Sequence, residues 1–390
     1  MSAFYQIKVN YTGKRIVKEA LSVKNLEMPN TSINIFDLEA VAKTKLTTLA
    51  YDYYSSGACD EKTLLANMSA FQDIWLRPRM LVDVSQRDMS TTVLGHKVSA
   101  PILIAPAAFQ GLAHADGELA TARAAEKFGT TMILSTLSNH SIEEVREAAS
   151  GNLWFQLYVY KDKGVTKSLI ERAEKSGYTA LVLTVDSPLL GRRERDVRNK
   201  FNLPAGLVCK NFIGNYLEQL PGGSPDSGLA AYISSLYDTS LSWKDLAWFK
   251  SITKLPVLVK GILRGDDAAR AIEYGADGII VSNHGGRQLD TTVPTIHALP
   301  EVVEAVNGQI EVYMDGGIRR GTDILKAIAL GARAVLIGRP MLWGLAVAGQ
   351  SGVLTVLDML KSEFDLSMAL SGCATISDIT PDLIDTKFRQ

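Results

Sequence analysis

Residues 278–290 read G-I-I-V-S-N-H-G-G-R-Q-L-D. Four apolar or small residues, rich in β-formers, run without interruption into Ser282, Asn283 and His284, and Gly285, Gly286 and Arg287 follow. The pattern is that of a buried strand ending in a polar, flexible loop, which is where parallel α/β proteins carry their working groups. An imidazole can take a proton near neutral pH. An arginine beyond a Gly-Gly hinge can turn back and hold a carboxylate through two parallel hydrogen bonds. Taken alone, the same residues also read as a capping histidine and a surface arginine, so the rest of the chain has to decide.

Similar runs recur from residue 101 onward, at 101–106, 131–136, 153–159, 180–186, 256–261, 311–317 and 334–340. With 278–284 they make eight. They are nearly continuous rather than alternating, as strands covered on both faces must be. Amphipathic segments separate them, for example 116–128 and 321–330, the latter closed by Gly331, and Ser141 with Glu144 forms a capping box. Eight such units predict a (β/α)8 TIM barrel in the α/β class. No G-x-G-x-x-G follows an early strand, which disfavours a nicotinamide-binding Rossmann fold. Ahead of the barrel, Ser32 to Ser56 shows helical spacing that stops at Gly57, an N-terminal helical segment. Residues 1–31 form an extension of unassigned role, and 32–390 the barrel domain. The gap at 187–241, after strand four, is rich in Gly, Pro, Asn and Ser and predicts a lid over the barrel mouth.

The chain has 390 residues, 46% of them hydrophobic and 21% charged, with a formal net charge of −1. That charge gives no general attraction to nucleic acid or to an anionic membrane. Three cysteines without C-x-x-C spacing predict neither a disulfide framework nor a structural zinc site. No apolar run reaches the roughly 18 residues of a membrane span. There is no apolar signal core at the start and no S-K-L at the end, so the expectation is a soluble cytoplasmic protein.

Chemistry in a barrel gathers where strands end. Those ends carry Ser135, Gln156 with Tyr158, Thr184 with Asp186, Lys260, Ser282 with His284, Asp315, and Gly338 with Arg339. A merely structural barrel has no need of polar groups at nearly every strand end. Asp315-Gly316-Gly317-Ile318-Arg319 and Gly338-Arg339 predict a phosphate site after strands seven and eight. Lys260, inside the mouth, needs a negative partner, which a reduced flavin would supply. Asp186 reads as the carboxylate that orients His284. Arg193, in the charge-dense G-R-R-E-R-D, reads equally as a solvated loop residue or a ligand-binding one.

S-N-H-G-G-R-Q-L-D, together with Y-D-Y-Y-S-S-G-A (51–58), F-Q-L-Y-V-Y-K-D (155–162), L-T-V-D-S-P-L-L-G-R-R (183–193), D-G-G-I-R-R-G-T-D (315–323) and A-L-S-G-C (369–373), resembles the FMN-dependent 2-hydroxy acid oxidases, the family of glycolate oxidase and L-lactate oxidase. The likeness spans about residues 32 to 373. It implies FMN as cofactor, a small 2-hydroxy acid and O2 as partners, hydrogen peroxide as product and a homotetramer. It implies His284 as base with Asp186 behind it, and Arg193 and Arg287 on the substrate carboxylate. Tyr53 and Tyr158 would add hydroxyl contacts. FMN would lie on Pro106, Ala107 and Ala108 and meet Ser135, Gln156, Thr184, Lys260 and Ser282. Its phosphate would meet Asp315, Gly316, Gly317, Arg319, Gly338 and Arg339. Glycolate oxidases resemble one another in carrying tryptophan where this chain has Leu137, and usually threonine where it has Ala107. The smaller residues leave room for a methyl or longer substituent, which favours L-lactate over glycolate. The alternatives are a glycolate or longer-chain oxidase, a family dehydrogenase passing electrons to a quinone or cytochrome, a Schiff-base barrel using Lys260, and a flavin-storing scaffold.

Overall fold

The computed structural model describes residues 32–212 and 235–386. The extension 1–31 lies outside the described residues. Eight parallel strands close into a barrel: β1 (Ile102–Ile104), β2 (Met132–Leu134), β3 (Leu153–Leu157), β4 (Ala180–Thr184), β5 (Val257–Ile262), β6 (Gly278–Val281), β7 (Glu311–Asp315) and β8 (Ala334–Ile337). β8 returns beside β1, with Val335, Leu336 and Ile337 opposite Ile102, Leu103 and Ile104. All eight expected strands are present, each shorter than its apolar run except β5, which matches its run in length and ends one residue later.

Side chains alternate across each strand, so a residue pointing inward is followed by another two positions on. Leu103, Ile133, Trp154, Val182, Leu258, Ile280, Tyr313 and Leu336, one from each strand, pack together in the barrel interior. Two residues further along stand Ala105, Ser135, Gln156, Thr184, Lys260, Ser282, Asp315 and Gly338. The apolar layer thus carries a layer with six polar residues directly above it, and that layer is the floor of the site. Below, the antiparallel hairpin Thr91–Val93/His96–Val98 contributes Val93 and Val98 to the interior cluster.

The outer shell is amphipathic helix. Gly117–Phe128 stops at Gly129, whose φ of +78° suits glycine, and the capping box of Ser141 with Glu144 opens Ile142–Ala148. The expected helical segment 32–56 is two helices, Ile35–Lys45 and Thr48–Ser55. Leu46 leaves the helical region, and Thr47 caps the second helix by accepting a hydrogen bond from the Ala50 N–H. The run Arg339–Ser371 is long and apolar enough to cross a membrane by length and composition. It is broken at Ala348–Gly349, and 67% of its most apolar window is buried against the rest of the molecule. Between β4 and β5 the chain forms the short helix Glu194–Arg198 and a turn at Lys210–Phe212. The middle of the expected lid, 213–234, lies outside the described residues.

Candidate active site

A cavity open to solvent lies at the C-terminal mouth of the barrel. Every site residue expected from the sequence lines it except Asp186 and Ser282, which stand immediately behind His284 and Lys260.

His284 lies just past β6 with φ +59°, a left-handed conformation uncommon for a residue with a side chain. Its ring is held from behind. Nδ1 is 2.8 Å from Asp186 Oδ1 and 3.3 Å from Ser187 Oγ. A carboxylate only accepts, so Nδ1 carries the proton and Nε2 keeps the lone pair, 3.5 Å from the Tyr158 hydroxyl. Burial pushes the imidazolium below its ordinary value, against the opposing pull of Asp186. Burial alone would raise the Asp186 carboxyl, but the charges of His284 and Lys260 and the hydrogen bonds from His284 and Ser187 outweigh it and bring it to about 2. The pair is therefore a neutral imidazole on a fixed carboxylate, the arrangement of a general base with its orienter.

Asp186 reaches that place because β5 is bulged. The pairing of β5 with β6 shifts register between Lys260 and Ile262, and Gly261 between them has φ +114°. A Cβ on Gly261 would stand 2.6 Å from the Asp186 Cβ. Only glycine lets the two strand ends approach so closely.

Four guanidiniums line the same cavity, those of Arg193 and Arg319 buried and those of Arg287 and Arg339 half-buried, and none has a carboxylate within 4 Å among the described residues. Arg287 donates to the Tyr53 and Ser56 carbonyls at 2.6 and 3.0 Å and lies over the Tyr53 ring. Burial and then Arg193 lower it to about 10, so it stays charged at neutral pH. Arg193 donates to the Arg287 carbonyl and to Gln288 Oε1. Tyr53, in the helix Thr48–Ser55, stacks on Phe201 from beyond β4, which fixes its ring. Arg339 donates to the Tyr54, Gly285 and Ser56 carbonyls, and burial with neighbouring guanidiniums pushes it well below its usual value. Arg319 leaves its buried Nε without a partner.

On the floor, Lys260 Nζ donates to Ser282 Oγ at 2.8 Å and lies 3.2 Å from Asp315 Oδ2. Burial opposes the ammonium, but Asp315 and Asp186 outweigh it and raise the lysine. Lys260 thus has an anionic partner in the chain itself, and Asp315 lines the cavity with one carboxylate oxygen on that lysine. Gln156 donates to Thr184 Oγ1, and its Oε1 accepts from the Thr136 N–H. Sequence reading missed Ser187, Gln288 and Tyr237. Ser187 and Gln288 are chain neighbours of predicted residues, a signal that could have found them. Tyr237 stacks on Tyr158 with ring centroids 4.6 Å apart, but it emerges from an irregular segment with no pattern to mark it.

Fold and site define a class: a barrel whose strands seven and eight end in a glycine- and arginine-rich cradle open to an anion, beside a histidine–carboxylate pair. The FMN-dependent dehydrogenase model matches residues 42–386. The chain is 56% identical to the L-lactate oxidase of Nostoc sp., over 92% of this chain and 98% of that protein. It is 53% identical to the glycolate oxidase of Spinacia oleracea, over 89% and 94%. A structure of mandelate oxidase with (S)-4-hydroxymandelic acid superposes with a TM-score of 0.87 at 41% identity, covering 91% of this chain and 99% of that one. The chain belongs to the FMN-dependent dehydrogenase family, and FMN is its cofactor. The cavity fits that group. Arg319 offers a free buried donor, and a Cβ on Gly338 would enter space where the nearest atom is Ala105 Cβ at 3.9 Å.

Proposed function

We propose that this chain oxidises small (S)-2-hydroxy acids, L-lactate foremost, to 2-oxo acids with O2 as electron acceptor. The observation that carries the reading is His284, its Nδ1 held on Asp186, sharing one cavity with Arg193 and Arg287. In this reading the two guanidiniums grip the substrate carboxylate, Tyr53 and Tyr158 contact it as protonated phenols, and His284 accepts the hydroxyl proton. Burial raises both phenols above their ordinary value, so they stay protonated. Arg319, Arg339 and the backbone of Gly316, Gly317 and Gly338 would hold the FMN phosphate. Lys260, Ser282, Thr184, Gln156 and Ser135 would meet the polar edge of the ring, and Pro106, Ala107 and Ala108 would lie along its face. When bound, FMN supplies the two-electron sink, and O2 carries those electrons away as hydrogen peroxide.

The relatives at 53–56% identity include both a lactate and a glycolate oxidase, so identity alone does not choose the acid. Leu137 and Ala107 support lactate, because both face the cavity and each is smaller than the tryptophan or threonine of glycolate oxidases. Anaerobic mixing with L-lactate or glycolate, followed by admission of air, tests the proposal. Lactate should bleach the flavin faster at equal concentration, and air should restore it with one peroxide per turnover. Slow reoxidation without peroxide would instead assign a quinone or cytochrome acceptor. The same reading carries a soluble, cytoplasmic homotetramer, whose mass is checked by light scattering of the holoenzyme.

A further inference from the structure

Glu118 stands outside the site described above, yet it is the fully buried carboxylate on which two of the site's loops converge. It lies in the first turn of the helix Gly117–Phe128 and is 0% exposed. Its Oε1 accepts from the Gln110 N–H and the Asn139 N–H, each at 3.1 Å. Its Oε2 lies 2.9 Å from His140 Nδ1. Gln110 belongs to the loop after β1, which carries Ala107; Asn139 and His140 belong to the loop after β2, which carries Leu137. One carboxylate oxygen thus joins the two loops whose side chains bound the cavity.

The tie is reinforced around it. The Phe109 N–H donates to the Leu137 carbonyl at 2.9 Å, and the Gly111 N–H donates to Asn139 Oδ1 at 2.9 Å. Phe109 is held at φ +56°, and its own carbonyl accepts from the Tyr54 hydroxyl at 2.7 Å. A bulky residue in the left-handed region persists only where its surroundings over-determine it. A buried carboxylate likewise needs its full set of donors. The two requirements meet at Glu118.

We propose that Glu118 is a positioning residue for substrate size: by bridging the Gln110 and Asn139 amides it fixes the distance between Ala107 and Leu137, and so the width of the pocket for the substituent on the substrate α-carbon. This rests on the proposed role of Leu137 and Ala107 in choosing the acid. The carboxylate touches neither substrate nor cofactor and acts only through the two loops. Shortening it by one methylene withdraws the bridging oxygen from at least one amide, whereas the glutamine isostere keeps an acceptor in place.

The test compares Glu118→Asp, Glu118→Gln and Leu137→Trp as FMN-loaded enzymes, with kcat/KM measured for glycolate, L-lactate and L-2-hydroxyoctanoate. Glu118→Asp should flatten the profile, with the lactate-to-glycolate ratio falling roughly tenfold, the lower end of the range a fitted methyl commands. Most of the change should appear in KM, with the flavin spectrum unaltered, and Glu118→Gln should restore the ratio to within twofold. Glu118→Asp with a lowered thermal midpoint but an unchanged ratio overturns the proposal, leaving Glu118 as a support of the fold alone. If Leu137→Trp leaves the ratio unchanged, the pocket reading itself fails. A shift in Glu118→Asp without one in Leu137→Trp would mean that Glu118 acts by another route, which also overturns the proposal.

Discussion

At the scale of single residues, the site is governed by one imidazole kept neutral and one carboxylate kept charged. His284→Ala should retain FMN, because no predicted flavin contact is lost, while kcat falls on the order of 10²–10⁴-fold. Stopped-flow reduction of the variant by lactate checks this. The pH dependence has a definite sign. Burial lowers the histidine, so the neutral form persists to pH values below the ordinary imidazole range, and kcat/KM should decline only in more acid solution. Asp186 pulls the other way. Asp186→Asn removes that pull, and the acid limb should therefore move to still lower pH while the plateau rate drops through loss of the tautomer and orientation that Asp186 imposes. A limb that moves upward in the variant would remove Asp186 from that role. The sequence made His284 and Arg287 legible because a polar cluster interrupts an apolar run. It could not show the φ of +59° at His284, nor that Lys260 already owns Asp315, because both depend on how strand ends face one another across the barrel.

At the scale of elements, the strand ends and their loops decide the chemistry, and glycines decide how closely they meet. A Cβ on Gly317 would fall 1.9 Å from the Asn67 carbonyl oxygen, and the residue has φ +84°. Asn67 in turn exchanges two side-chain hydrogen bonds of 2.8 Å with Asn283, the neighbour of His284. Gly317→Ala should therefore cost about 2–4 kcal/mol of stability by overpacking and backbone strain. Gly338→Ala meets no such obstacle in the protein and should instead weaken FMN retention with little change in the stability of the apoprotein. Equilibrium dialysis and urea unfolding of the two variants separate these outcomes. In the loop after β2, Leu137→Trp should fill the space beside Ala107 and shift preference toward glycolate by roughly 10–200-fold, the range for one methyl in a fitted pocket. An unchanged kcat/KM ratio would refute that assignment. The floor layer, each residue two positions beyond an interior apolar one, follows from strand alternation. It was only partly readable in the sequence, since runs apolar on both faces hide which face points inward.

For the molecule as a whole, the eight-fold rhythm of apolar runs sufficed to read the barrel, because each run has to be buried on both sides. What escaped were features set by distant partners or unusual turns. The strand Ile74–Leu76 pairs with Ile384–Thr386 near the far end of the chain, a match that local sequence cannot announce. The hairpin at the barrel base turns through Leu94 and Gly95, both with positive φ, without the asparagine or aspartate that usually marks such a turn. The break at Ala348–Gly349 lies inside an otherwise unbroken apolar helix.

Arg193, Arg287, Arg319 and Arg339 crowd one concavity, and among the described residues no carboxylate makes an ion pair with any of the four, Asp196 and Glu39 acting on them only from a distance. Stripped of FMN, the protein must store that mutual repulsion. Inorganic phosphate should then act on the apoprotein as a saturable stabiliser, worth about 2.7 kcal/mol at a hundredfold excess over its Kd. The rise in thermal midpoint should exceed that produced by chloride at equal ionic strength and should vanish once FMN is restored. The coenzyme would thus complete the protein's charge balance as well as its chemistry.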